Sequence, residues 1–321
     1  MMKRFLTSLT VGAFAGICLA APTIDGLNIG APDWTNSISL QDTNTRFGNG
    51  QNELNQMYVE SDSDNIYIGI PGNLADNNAM TIFFDVSSGG VASASTLATN
   101  DPNIPCRAGG LPTLLRVMDT TQLDGTFDYS LLVSVGKFPG QSDIQLVLAS
   151  DITNLNTGEN TPLGIGLLGN DSGTGVSGTL TTTDVTGARI AINNANAAGV
   201  VDWCFDPDDP NDPNDFFCDT RIADPNEAAS ATIGIEIVVP RDLIGLDTPS
   251  ATTVGIFAWL TNNAQDGDAG TPCDRRGYSS NQSLPGMMGA DNLGPFRGSA
   301  EPKDFTSVPG LQYVTTLIPG I

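Results

Sequence analysis

The chain has 321 residues, with 13 Lys and Arg against 36 Asp and Glu, a formal charge of −23, and no histidine. A surface this acidic, with no basic patch to offset it, excludes nucleic acid and anionic lipid as partners. The missing histidine removes histidine triads, histidine-ligated zinc and the commonest general base.

Residues 1–20 read as a secretory signal peptide: Lys3 and Arg4, an apolar stretch over 9–19, then Ala20 and Ala21. Cleavage after Ala20 removes two basic residues and no acid, which takes the charge from −23 to −25. The apolar stretch is too short to span a bilayer, and no later stretch long enough to span one lacks charge or proline. The expectation is a soluble, secreted protein (extracellular, envelope or periplasmic) without a membrane span. Four cysteines then remain, Cys106, Cys204, Cys218 and Cys273. An even number in an exported chain favours two disulfides, with three possible pairings. Cys204 and Cys218 bracket one loop and form the first choice, leaving Cys106 with Cys273, although spacing alone keeps the other pairings open.

From 21 to 50 the chain reads as an opening strand and loops around Trp34. Residues 54–86 hold three runs rich in β-branched and aromatic residues, which predict an antiparallel meander. Ile66, Ile68 and Ile70 share one face, as do Ile82, Phe84 and Val86, so the opposite face is expected to be solvated or under a loop. The SDSDN cluster between the first two runs is rich in turn formers. Residues 87–110 read as a loop carrying Cys106, and 111–118 as a strand. In FDYSLLVSVGKF, Phe127, Tyr129, Leu131, Val133 and Val135 share a face, and IQLVLA pairs with it across the following turn. PLGIGLLGN and GTLTTTDVTGARIAINN predict further strands, interrupted by an acidic, proline-rich loop over 202–225. TIGIEIVVP and TVGIFAWL place Ile233, Ile235, Ile237 and Val239, then Val254, Ile256, Ala258 and Leu260, on apolar faces. RDLIGL between them fits one helical turn, and a closing strand falls near 312–318.

No apolar run at helical spacing exceeds about two turns. The chain therefore predicts an all-β fold: one antiparallel, jelly-roll-like β-sandwich over 21–321 with long loops and less than about a tenth of its residues helical.

The segment IDG at 24–26 with Trp34, followed by MYVESDSDNIYIGI, resembles the opening of family 9 carbohydrate-binding modules and related sandwich domains. GIEIVVPRDLIGL and VGIFAWL resemble the late segment of those modules, and ARIAINNANAAGV and SSNQSLPGMMGADNLG resemble a set of exported bacterial proteins. The resemblance spans most of residues 21–321 and rests on structural motifs. It implies a sandwich with Trp34 in the core and a non-catalytic module that binds carbohydrate or cell-surface glycan.

Sugar-binding sandwiches stack aromatic rings on apolar sugar faces, which makes Trp259, Tyr67 and Trp203 the candidate ligand residues. Trp259 and Phe257 point away from the aliphatic face of their strand, either beneath a loop or as a platform. Trp203 adjoins Cys204 and could instead pack on a disulfide. In DWCFDPDDPNDPNDFFCD, the side chains of Asp206, Asp208, Asp209 and Asp212 offer the oxygen ligands a hard cation such as Ca²⁺ takes. The alternative is a solvated acidic loop, since the glycine and terminal glutamate of an EF-hand are absent. Asp266 and Asp268 form a weaker candidate of the same kind. Carboxylate pairs can run glycoside hydrolysis without histidine, but Glu60, Asp62 and Asp64 fall at a turn, and Glu236 reads as a solvent-facing strand residue. An exported binding module for extracellular glycan is thus set against a structural protein of the cell envelope, with a glycoside hydrolase third.

Overall fold

The computed structural model describes residues 21–30, 32–42, 52–74, 78–93, 122–137, 145–170, 177–181, 187–196, 198, 225–262, 278–286 and 304–321. The first strands are β1 (Ser37–Leu40), β2 (Asn52–Leu54), β3 (Gln56–Ser61), β4 (Asn65–Leu74), β5 (Asn78–Asp85) and β6 (Val91–Ser93). Then come β7 (Gln122–Phe127), β8 (Tyr129–Lys137), β9 (Gln145–Asn154), β10 (Asn160–Asn170), β11 (Ser177–Thr181) and β12 (Arg189–Asn193). One short helix, α1 (Pro225–Ser230), precedes β13 (Gly234–Pro240), β14 (Thr252–Asn262), β15 (Tyr278–Leu284) and β16 (Val314–Ile318). Two 3-10 turns, Arg241–Ile244 and Phe305–Ser307, complete the elements among the described residues. No helix there is long and apolar enough to cross a membrane.

The strands form an antiparallel two-sheet sandwich. The first sheet runs β1-β3-β4-β13-β12-β11 with β2 on β4, and the second runs β10-β9-β8-β5-β14-β15 with β16 on β14. β6 and β7 make a separate ribbon. Period-two alternation supplies the interlayer core. Ile66, Ile68, Ile70, Ile235, Ile237 and Val239 of the first sheet meet Met80, Ile82, Phe84, Val254, Ile256 and Leu260 of the second. Burying each such side chain contributes about 1.5–3 kcal/mol relative to leaving it in water.

Two expectations need correction. The three runs of 54–86 are not one meander, because β3 and β4 pair in the first sheet while β5 joins the second, between β8 and β14. Each of β4 and β5 carries a fully apolar face, and facing one another across the core buries both at once. Phe127 does not share a face with Leu131, Val133 and Val135, because the chain bends at Asp128 between β7 and β8 and turns Phe127 outward. The helical turn in RDLIGL, the closing strand and the pairing of β8 with β9 are as expected. The strand expected over 111–118 lies outside the described residues.

Neither outer face is simply solvated. β4, β13 and most of β5 are buried at nearly every position. Over the first sheet, Ile24, Ile29 and Trp34 of the N-terminal segment cover Tyr58, Tyr67, Ala191 and Val238. Over the second, Leu123, Phe127, Phe305 and Val308 cover Ala79, Phe83, Leu132, Phe257 and Trp259.

Candidate functional site

Polar side chains gather at three places on this framework. The first is Glu236, at the centre of the outer face of the first sheet. Alternation along β13 sends it away from the isoleucines, so by sequence it should face solvent. Instead it is fully buried beneath the N-terminal segment. Its Oε2 accepts the backbone N–H groups of Asp25 and Gly26, both at 2.6 Å, and its Oε1 accepts Trp34 Nε1–H at 3.0 Å. Gly26 has φ +76°, a left-handed conformation that glycine adopts at little cost. Across the strand, Gly69 leaves room for the cover, since a Cβ there would lie 2.8 Å from Ile29 Cγ2 and 3.1 Å from Trp34. Burial pushes the Glu236 carboxyl from its ordinary 4.5 up to about 7, although its three hydrogen bonds favour the ionised form.

The second place is the end of the sandwich with the tight turns after β3 and β9. Asp62 caps its own turn by accepting the N–H groups of Asp64 and Asn65, both at 2.8 Å, and it also accepts the Tyr67 hydroxyl. Burial works to raise the Asp62 carboxyl, but these bonds and the Arg241 charge hold it below the usual range. Burial and then the bond to Asp62 push the Tyr67 hydroxyl up to about 12. Arg241 is buried and donates to the carbonyls of Asp62, Leu246 and Pro319, tying the β3–β4 turn, its own 3-10 turn and the C-terminus together. Nearby, Asp128 accepts the N–H groups of Val86 and Ser87, the Ser87 hydroxyl and Asn156 Nδ2. Burial and then the Asp128 charge raise the neighbouring Asp85 carboxyl.

The third place is the opposite end, where carboxamides converge. Asn194 accepts Leu74 N–H at 2.8 Å and donates to Leu74 O at 2.9 Å, extending the β4 ladder by one side chain. Asn73 exchanges the same pair of bonds with the backbone of Asn196, at 3.0 and 3.2 Å. Asn196 Nδ2 donates to Glu53 Oε2 and Ala198 O, and Asn55 Nδ2 donates to Ala198 O as well. The Asn55 Oδ1 is buried and accepts no hydrogen bond among the described residues. β13 starts from this end at Gly234, opposite Pro71.

The aromatic candidates are displaced from their expected role. Trp259 is 0% exposed, with Phe305 edge-on to its ring at 5.0 Å, so no sugar face can stack on it. Tyr67 is 3% exposed beneath the N-terminal segment and spends its hydroxyl on Asp62. In both, the face that alternation turns away from the interlayer core is covered by a distant segment of chain. Trp34 is buried, as the resemblance implies. Trp203, the calcium candidates Asp206, Asp208, Asp209 and Asp212, and Cys106, Cys204, Cys218 and Cys273 lie outside the described residues. Among the described residues, no group of three or more His, Cys, Asp or Glu could hold a metal ion.

Sequence reasoning missed Glu53, Asn55, Asn73, Asn194 and Asn196, because asparagine at a strand end reads as a turn former. The double asparagine of AINNAN was the available signal. Arg241 was missed because an arginine after a strand-ending proline looks like an ordinary surface residue. No protein-family model, curated protein or solved structure matches the chain.

Proposed function

We propose that the protein is an exported, non-catalytic binding module for carbohydrate or cell-surface glycan. Its ligand would meet the end of the sandwich where Glu53, Asn55, Asn73, Asn194 and Asn196 converge. The observation that carries this reading is the convergence of carboxamides from three segments of chain around Asn55, whose buried Oδ1 has no hydrogen-bond partner among the described residues. At one end, Asp62, Asp128 and Arg241 are spent on backbone partners that close turns. At the other, the planar carboxamides also bond backbone, but Asn55 Oδ1 has no donor among the described residues. Glycan hydroxyls both donate and accept, and planar amides and carboxylates engage them in pairs. Ca²⁺ on Asp206, Asp208, Asp209 and Asp212, in the segment following Ala198, belongs to the same proposal, since carboxylate oxygens suit a hard cation.

The test is a glycan array probed with wild type, Asn196→Ala and Asp208→Ala, each with added calcium and with EDTA. Wild type is expected to retain a defined set of glycans that Asn196→Ala loses without a matching loss of thermal stability. EDTA should reproduce the effect of Asp208→Ala. Failure of wild type to retain any glycan in either buffer would remove the reading, and binding indifferent to EDTA would remove its calcium part.

A further inference from the structure

We propose that the Asp25–Gly26 bond is a site of spontaneous isoaspartate formation that Glu236 holds in check. The bond reacts only when the N-terminal segment lifts off the first sheet, and the product keeps the segment from reseating. The inference does not depend on glycan binding. Aspartate before glycine is prone to this rearrangement, since glycine puts no side chain in the way of ring closure and leaves the backbone free to turn. The fold requires that glycine. Gly26 has φ +76°, and a Cβ there would lie 2.9 Å from Asn193 Cβ and 3.1 Å from Gly234 O. The reactive pair follows from how closely the segment approaches β12 and β13.

The reaction joins the Gly26 nitrogen to Cγ of the protonated Asp25 carboxyl. The N–H proton and the carboxyl hydroxyl leave together as water, and a cyclic imide remains. Water then breaks one of the two ring C–N bonds. Opening at Cγ restores aspartate. Opening at the main-chain carbonyl leaves the chain running through Cγ, one carbon longer, with the former main-chain carbonyl carbon as the free carboxylate. Water is the only co-reactant, and nothing is oxidised or reduced.

Seated on the sheet, the pair is held away from this course. Gly26 N–H and Asp25 N–H both donate to Glu236 Oε2 at 2.6 Å. Asp25 itself is exposed, and its Oδ1 accepts Leu27 N–H at 2.9 Å. The imide nitrogen carries no hydrogen, so forming it in place strips a donor from a fully buried carboxylate. Gly234 N–H to Gly26 O at 3.1 Å and Ile29 N–H to Thr232 O at 2.9 Å pin the segment further. Ring closure therefore waits for local opening. In the isoaspartyl product the extra carbon adds about 1.5 Å of chain between the Asp25 and Gly26 N–H groups. They can no longer meet on one oxygen while Gly26 O keeps its bond to Gly234.

Peptide mapping for isoaspartate after prolonged incubation of the intact protein near neutral pH reads the site directly. Asp124–Gly125, in β7 with Asp124 Oδ2 accepting Gln312 N–H, is the internal control. Wild type should form isoaspartate at Asp25 at least about tenfold more slowly than a free peptide of the 21–30 sequence. Glu236→Gln, which sets an amide N–H against one of the donors, should raise the rate at Asp25 several-fold and leave Asp124 unchanged. Should Asp124 accelerate as well because that variant has unfolded, Gly69→Ala decides, since it presses on Ile29 and Trp34 and touches neither reacting residue. Hydrogen exchange of the isomerised fraction should show protection lost over 24–34 and kept in β8 and β9. A wild-type rate equal to or above that of the peptide, no rise at Asp25 in the folded variant, or full protection over 24–34 in the isomerised fraction would each overturn the proposal.

Discussion

The two outer faces of the sandwich solve one problem by different chemistry. Each sheet turns aromatic or apolar side chains away from the interlayer core, and each is covered by a segment distant in sequence. Over the second sheet the cover is apolar: Phe305 meets Phe257 at 4.9 Å and Trp259 at 5.0 Å, both edge-on, and Phe127 tilts against Phe83 at 5.5 Å. Over the first sheet the cover is mixed: Ile29 and Trp34 pack on Tyr58 and Tyr67, but a buried carboxylate ties three donors of the N-terminal segment together. Aromatic packing is indifferent to pH and adds about 0.5–1.5 kcal/mol per pair beyond area burial. A buried carboxylate is directional and depends on its protonation state. The comparison teaches that two covers of similar extent can differ in what loosens them.

The largest expected effect breaks the apolar cover. Trp259→Ala removes a ring with 0% exposure and should cost about 3–5 kcal/mol, read as a lower urea midpoint with an unchanged slope. A cost below about 1 kcal/mol would mean that Trp259 is not enclosed.

Trp34→Phe sharpens the comparison from the other side. It keeps a ring in the N-terminal cover but deletes the Nε1–H that Glu236 accepts, and should cost about 1–3 kcal/mol for the lost buried bond. The second sheet should be untouched, so exchange protection of β8 and β9 should match wild type below the unfolding transition.

Gly69→Ala should cost about 1–2 kcal/mol, because the new methyl meets Ile29 and Trp34 and must push the N-terminal segment outward. Increased exchange over 24–34 without change in β14 is the matching signature. Equal loss over both faces would show that the covers are not independent.

The smallest effect is at the turn end. Tyr67→Phe deletes the bond to Asp62 and should cost about 0.5–1.5 kcal/mol near neutral pH. The sign follows from the lowered Asp62 carboxyl: its contribution is present above the ordinary 3.8 and is lost as pH falls below it. The difference between wild type and variant should therefore shrink in acid.

The sequence by itself determined the all-β class, because period-two alternation in NIYIGI, TIFFDV, GIEIVV and TVGIFAWL leaves one apolar face per strand that only another sheet can bury. It also determined the helical turn after Pro240, whose ring ends the strand, and the split of TVGIFAWL into Val254, Ile256, Ala258 and Leu260 on one face and Phe257 and Trp259 on the other. Only the tertiary structure decided what lies against the second face. Alternation says that Glu236 and Trp259 point away from the core. Whether water or a distant segment waits there, 202 residues away in sequence for Trp34 on Glu236, is a matter of chain return, which no local pattern encodes. The same holds for the carboxamide end, where Asn73 meets Asn196 across 123 residues. A turn-forming asparagine and a buried one have the same local sequence, and only the partner brought by the fold distinguishes them.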